Sequence, residues 1–195
     1  RYGELAKADI ARRTGLSAQT ASVIMRALEA EELVIREKPR RGRVGQPSVP
    51  MRLNPDGALS LGLKIGRRSS ELVLMDFIGR IRASERRTYA YPMVEDIRDF
   101  VSIAFERLVG GLDAKLRGRI VGLGVAMPFE LWSWADEIGA PAGDMAGWRD
   151  FDVAAELEAM TGLSVHLAND ASAACAAENV FGTVGASDFV YFFVG

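Results

Sequence analysis

LGLKIGRRSSELVLMDFIGRI, residues 61–81, reads as two short strands joined at Arg67 and Arg68. It has the apolar run, the glycine (Gly66) and the tight turn of a hairpin that holds phosphate against its backbone. Lys64, Arg67 and Arg68 stand where such a site needs something different. The fold of the chain, and whether it carries a working nucleotide site, both turn on this hairpin.

Outward from it, the pattern gives three strands: Leu59–Ile65, Glu71–Phe77 and Arg80–Tyr89, the last two joined through Ile78-Gly79. A helix is expected from about Val94 to Leu116, with Ile97, Val101, Ala104, Phe105, Leu108 and Leu112 on one stripe. IVGLGVAMP then reads as a buried strand ended by Pro128. Phe151–Thr161 reads as a helix, LSVHLA as a strand, Asp170–Val180 as a helix and DFVYFFV as a last buried strand. Three hairpin-linked strands followed by alternating helices and strands predict an α/β lobe, a mixed sheet covered by helices.

Upstream, LNPDGA (Leu53–Ala58) is turn chemistry. We place residues 54–58 as a linker, with residues 1–53 and 59–195 as separate domains. Charge agrees with the division. Residues 1–52 hold 11 Lys/Arg against 6 Asp/Glu, a balance of +5, and residues 53–195 hold 13 against 20, a balance of −7. A basic head on an acidic body predicts a polyanionic partner for the head.

The head has a matching pattern. KADIARRT (Lys7–Thr14) is a short amphipathic helix, with Ile10 and Ala11 inward and Arg12 and Arg13 outward. Gly15 suits its C-terminus, Leu16 reads as an apolar plug, and Ser17 suits the N-cap of a second helix from Ala18 to about Ala30. Ala21, Ile24 and Leu28 mark that helix's inward face, and Ala18, Gln19, Ser22 and Arg26 its outward face. This is a helix-turn-helix layout, whose second helix presents its first residues to bases in the major groove. LVIREKPRRGRVGQPSVPMRL then reads as a hairpin wing: Leu33 and Ile35 alternate, the strand resumes at Val49, Met51 and Leu53, and the tip holds Arg36, Lys38, Arg40, Arg41 and Arg43. Such arginines contact phosphates or enter the minor groove. Residues 1–53 are thus expected to form a winged helix-turn-helix (α+β) domain that binds double-stranded DNA through Ser17, Ala18, Gln19, Ser22, Arg26, Arg40, Arg41, Arg43 and Gln46. The plainer reading is a solvated basic loop after a packing helix pair.

Composition narrows the rest. The 49% apolar and 26% charged residues are ordinary for a globular protein. No apolar run is long enough to span a membrane, and no signal peptide is visible. The single cysteine, Cys175, suits a reducing cytoplasm and reads as a small buried residue. One His and one Cys argue against a protein-only zinc site within these residues, and His166 reads as a packed or edge histidine. The start at Arg1 and the end inside an apolar run lead us to expect a longer protein.

The pieces together resemble the ROK family (repressors, open reading frames and sugar kinases), in its regulator branch. The resemblance rests on GLSAQTASVIMRALEAEELV with the RGRVGQPS wing, LGLKIGRRSSELVLMDFIGRI, GLGVAMPFEL, the segment AGWRDFDVAAELEAMTGLSVHLANDASAACAAENVFG, and the closing strand. It implies that residues 59–195 form the first lobe of an actin-like sugar-kinase fold, with the start of the second. Family kinases carry Asp-x-Gly-Gly-Thr in the first hairpin. Here the run is Lys64-Ile65-Gly66-Arg67-Arg68, so the metal-directed carboxylate is missing and a switched-off phosphate site is implied, although arginines could still attract phosphate.

The sugar end reads differently. LANDASAAC resembles the family's Glu-Asn-Asp-Ala-Asn-Ala-Ala, which implies that Asn169 and Asp170 hydrogen-bond sugar hydroxyls; both also suit a helix N-terminus. Where the family often has Asn-Leu-Pro-Gly-Trp, this chain has Asp144-Met145-Ala146-Gly147-Trp148, and Ala168 replaces the Glu. Trp132 and Trp134 are placed equally well to stack on a sugar or to cover a core edge. The family's zinc motif would lie beyond Gly195, so no cofactor is expected in this segment.

The expectation is a cytoplasmic, non-enzymatic transcriptional regulator of carbohydrate metabolism, probing an operator with its head and a sugar or sugar derivative with its body, and acting as a homodimer or higher oligomer. The alternatives are a sugar kinase with an appended N-terminal domain, and a regulator whose body binds a protein partner.

Overall fold

The computed structural model describes residues 3–39, 49–135, 139–140, 143–182 and 188–192. The chain divides into two compact units, residues 1–59 with 76–80, and residues 60–75 with 81–195.

The first unit begins with a short strand, β1 (Leu5–Ala6), and two helices, α1 (Lys7–Thr14) and α2 (Ala18–Ala30). Gly15 ends α1 with φ 71°, a left-handed conformation that a β-carbon would strain. Ser17 caps α2, its Oγ accepting from the Thr20 N–H at 3.1 Å. Strands β2 (Val34–Arg36) and β3 (Pro50–Leu53) pair antiparallel with Val34 opposite Leu53, and β1 adds to the other edge of β3.

The core here is Met25, Val34 and Met51, with Ile10 and Leu28 packed against it. This corrects three expectations. The inward face of α2 is Ala21, Met25 and Leu28, while Ile24 is 42% exposed. Leu16 is no plug, at 39% exposure. In the wing it is Val34, between Leu33 and Ile35, that points inward, because the pairing with β3 sets the parity.

The sheet of the body runs β6-β5-β4-β7-β8, from β4 (Leu59–Ile65), β5 (Ser69–Asp76), β6 (Ile81–Thr88), β7 (Ile120–Met127) and β8 (Val165–Asn169). β5 and β6 are antiparallel, β7 and β8 parallel. Helix α3 (Val94–Val109) buries Ile97, Phe100, Val101, Ala104 and Leu108, and the sheet buries Leu61, Leu63, Ile65, Leu72, Leu74, Leu123 and Val125. Burial of each large aliphatic side chain contributes roughly 1.5–3 kcal/mol.

α3 stops at Val109, short of the expected Leu116. Gly110 and Gly111 interrupt it, and Asp113 caps a separate turn, α4 (Ala114–Arg117), by accepting from the Leu116 N–H at 2.8 Å. Phe100 replaces Phe105 in the buried stripe. Helices α5 (Val153–Thr161) and α6 (Asp170–Phe181) flank β8.

Residues 188–192 form no strand, and Val190 and Phe192 are 77% and 84% exposed. Apolar content alone does not make a strand where no described neighbour offers a hydrogen-bond ladder. Cys175 is half-buried rather than buried, and His166 lies exposed on the edge strand β8.

Candidate functional site

Two sets of residues carry chemistry, one in each unit. In the first, Ala18 and Gln19 lie exposed in the opening turn of α2, and Ser22 and Arg26 follow one and two turns on. Arg26 lies along its own helix, Nε donating to Ser22 O at 3.3 Å. Ser17 is engaged as the cap. Arg36, expected at the wing tip, is instead tied down: it meets Glu29 through Nε at 2.5 Å and through Nη2 at 2.7 Å. That pairing raises the Arg36 pKa, mainly through the hydrogen bond to Glu29. Arg40, Arg41, Arg43 and Gln46 lie outside the described residues.

In the body, the hairpin between β4 and β5 is closed by its own chain. The Gly66 N–H donates to Ser69 O at 3.0 Å, and Tyr89 Oη donates to Gly66 O at 2.7 Å while lying 2.9 Å from Ser70 Oγ. Burial pushes the Tyr89 hydroxyl up to about 12. Arg68 reaches back to the Ala90 carbonyl. Lys64 points outward and makes no hydrogen bond or ion pair among the described residues. The Gly66 N–H and C=O are thus both engaged within the chain, by Ser69 O and by the Tyr89 hydroxyl.

Asn169 and Asp170 stand side by side where β8 passes into α6. Asn169 Oδ1 caps the helix, accepting from Ala171 N at 3.1 Å and Ser172 N at 3.4 Å, and Asp170 Oδ1 accepts from Ala171 N at 2.9 Å. Asn169 Nδ2 and Asp170 Oδ2 have no partner among the described residues, so one donor and one acceptor remain for a hydroxyl-bearing ligand. Asp144 is not joined to them by any hydrogen bond. It accepts instead from Tyr91 Oη at 3.1 Å.

Sequence reasoning missed Tyr89 and Tyr91. The signal was the run TYAYP at the end of β6, where two tyrosines flank one residue and precede a proline. It also missed a cavity of about 180 Å³ at the ends of β7 and β8, whose lining includes Met127, Phe129, Trp148, Arg149, Asp152 and Leu167. Trp148 is anchored there: its indole N–H donates to Pro92 O at 2.7 Å, and its ring meets Phe151 edge-on at 5.7 Å. Trp132 also lines the cavity.

Comparison with known proteins places this geometry. The model of the ROK family matches residues 60–195. The xylose repressor of Bacillus subtilis (strain 168) is 21% identical over 188 residues, covering 96% of this chain and 48% of the repressor. A protein of Mycobacterium tuberculosis (strain ATCC 25618 / H37Rv) named as a transcriptional regulator is 28% identical over 187 residues, covering 92% of this chain and 40% of its own length. The chain therefore spans about half the length of these relatives or less. The crystal structure of a ROK family transcriptional regulator, a homolog of the E. coli MLC protein, superposes with a TM-score of 0.58 at 19% identity, covering 91% of this chain and 44% of that one. This last match shows the fold. Among the described residues, no helix is long and apolar enough to cross a membrane.

Proposed function

The chain belongs to the ROK family, and from that premise we propose that its protein is a DNA-binding transcriptional regulator of carbohydrate metabolism, a repressor by the sign of its action. Residues 1–53 act as a winged helix-turn-helix head, residues 54–58 as a linker and residues 59–195 as the first lobe of an actin-like sugar-kinase body.

The observation that carries the reading is the opening of α2. A serine-capped helix exposes Ala18, Gln19 and Arg26 in sequence, with Ser22 beside them, after a left-handed glycine turn. Gln19 reads a base edge, Arg26 swings from its own helix to a phosphate or guanine, and Arg40, Arg41, Arg43 and Gln46 extend the contact from the wing. Two copies bring two heads to an operator with two-fold half-sites. Relatives named as a xylose repressor and as a transcriptional regulator support the same class.

The body senses and does not phosphorylate. Lys64 stands in place of a metal-directed carboxylate, and the Gly66 N–H and C=O are engaged by Ser69 and Tyr89. Asn169 and Asp170 keep a binding role toward sugar hydroxyls, with Asp144 as a third contact.

The experiment is fluorescence anisotropy of the full-length protein with DNA from its own upstream region, wild type against Gln19→Ala. The reading expects tight, salt-sensitive binding that Gln19→Ala weakens by about tenfold or more on the operator and leaves unchanged on unrelated DNA. Equal losses on both DNAs, or no binding by the wild type, would overturn it.

A further inference from the structure

We propose that Arg68 is a positioning residue: through residues 89–92 it holds in place the loop that carries Asp144 and Trp148. The bearing on ligands rests on the reading of Asp144 as a sugar contact, whereas the linkage itself does not.

Residues 89–92 join β6 to α3 and bond in two directions. Toward the turn, the Tyr89 N–H donates to Arg68 O at 3.0 Å and the Tyr89 hydroxyl to Gly66 O at 2.7 Å. The Arg68 guanidinium donates in turn to the Ala90 carbonyl, so Arg68 holds the segment by main chain and side chain alike. Toward the loop, the Tyr91 hydroxyl donates to Asp144 Oδ2 at 3.1 Å, and Pro92 O accepts from the Trp148 indole N–H at 2.7 Å.

The segment is short and stiff enough to pass a displacement on. Proline fixes φ at residue 92 and confines Tyr91 to extended conformations. Pro92 is fully buried, and Met145 and Trp148, in the loop it meets, are 1% and 3% exposed. Groups packed this closely transmit strain.

A turn that holds phosphate against its backbone needs small residues, and Arg68 is bulky. Its side chain is exposed, and its charge strengthens the hydrogen bond to the Ala90 carbonyl. The residue that departs from a phosphate-holding turn thereby anchors the loop of Asp144.

The test is amide hydrogen exchange of the full-length protein, without DNA or sugar, in wild type, Arg68→Ala, Tyr91→Phe and the double variant. The amides read are those of Ala146, Trp148 and Arg149, which donate to Gly143 O, Met145 O and Ala146 O. Their rates are taken relative to the core amides of β4, which report global unfolding. Because Arg68 is exposed, its loss leaves the core intact. The inference expects each single variant to speed the loop amides about threefold or more. It expects the double variant to be no faster than the quicker single, because both cut one chain of contacts. Loop amides that ignore either single variant, or effects that multiply in the double, would overturn it. The first result would confine each bond to its own side, and the second would make the two contacts independent. Neither DNA nor sugar is present, so failure of the operator or sugar reading leaves this outcome standing.

Discussion

Tyr91 donates its hydroxyl proton to Asp144 Oδ2 across 3.1 Å, joining the end of the β5–β6 hairpin to the loop that leads into α5. In the motif resemblance drawn from the sequence, Asp144 stands where an amide is expected. The aspartate's charge is therefore held in place by a phenol rather than left loose. The bond has a consequence for titration: it raises the Tyr91 pKa, first through the hydrogen bond to Asp144, then through burial and the charges of Asp144 and Asp96.

Replacing the carboxylate by the amide removes that bias. In Asp144→Asn the Tyr91 hydroxyl should titrate closer to its ordinary value of 10.0. The sign follows from the neutral form being favoured in the fold. The contribution is present at neutral pH and below, and is lost as pH rises through the elevated pKa. Ultraviolet difference titration of Asp144→Asn against wild type, with Tyr91→Phe to assign the signal, checks it. An unchanged Tyr91 titration would remove the carboxylate as the cause.

Tyr89 gives a second titration. Its hydroxyl should ionise at about 12, and the stability it contributes is whole up to about the ordinary tyrosine value and falls as pH climbs toward 12. Tyr89→Phe leaves Gly66 O and the fully buried Ser70 hydroxyl short of a partner. It should cost about 1–3 kcal/mol by urea denaturation. A loss near zero would mean that water satisfies both groups.

Asn169 is predicted to serve two roles, and two substitutions separate them. Asn169→Ala should lose about 1 kcal/mol of stability with the cap, whereas Asn169→Ser keeps a capping oxygen and most of the stability. Both lose the amide N–H₂, so both should weaken the response to a sugar. A serine variant with a full sugar response would confine Asn169 to the helix end.

Gly15 offers a purely conformational test. At φ 71°, with nothing within 4 Å of an added β-carbon, Gly15→Ala meets backbone strain and no clash. The expected loss is about 1–2 kcal/mol in thermal or urea denaturation of the head. A neutral or stabilising result would show that the turn relaxes.

Local chemistry was the legible part of this sequence. The Gly15 turn, the Ser17 cap and the alternation along β4 and β5 each follow from one residue's own preferences or from a period of two, and the sequence states them directly. What was missed depends on neighbours. Met25 displaces Ile24 from the core because the small sheet beneath α2 lies where Val34 and Met51 meet it. Val34 points inward because of its register with β3. Phe189–Phe192 have strand-like composition, but a strand needs a partner that composition cannot supply. The Tyr91–Asp144 bond spans 53 positions, and the cavity beside Trp148 draws its lining from three separate stretches of the sequence. The hairpin at residues 61–81 was read from its substitutions, Lys64 above all, yet the hydroxyl that meets its Gly66 carbonyl, that of Tyr89, comes from just beyond the following strand.

The most direct test of the whole account follows operator binding by the full-length protein while a panel of sugars and sugar derivatives is titrated in, with ATP turnover measured on the same samples. The account predicts that one sugar shifts operator affinity by about tenfold or more, within the usual range of coupling between sites, that Asp170→Asn abolishes the shift, and that no sugar is phosphorylated. Operator binding that no sugar alters, together with ATP-dependent phosphorylation of any of them, would contradict it and identify the body as a kinase.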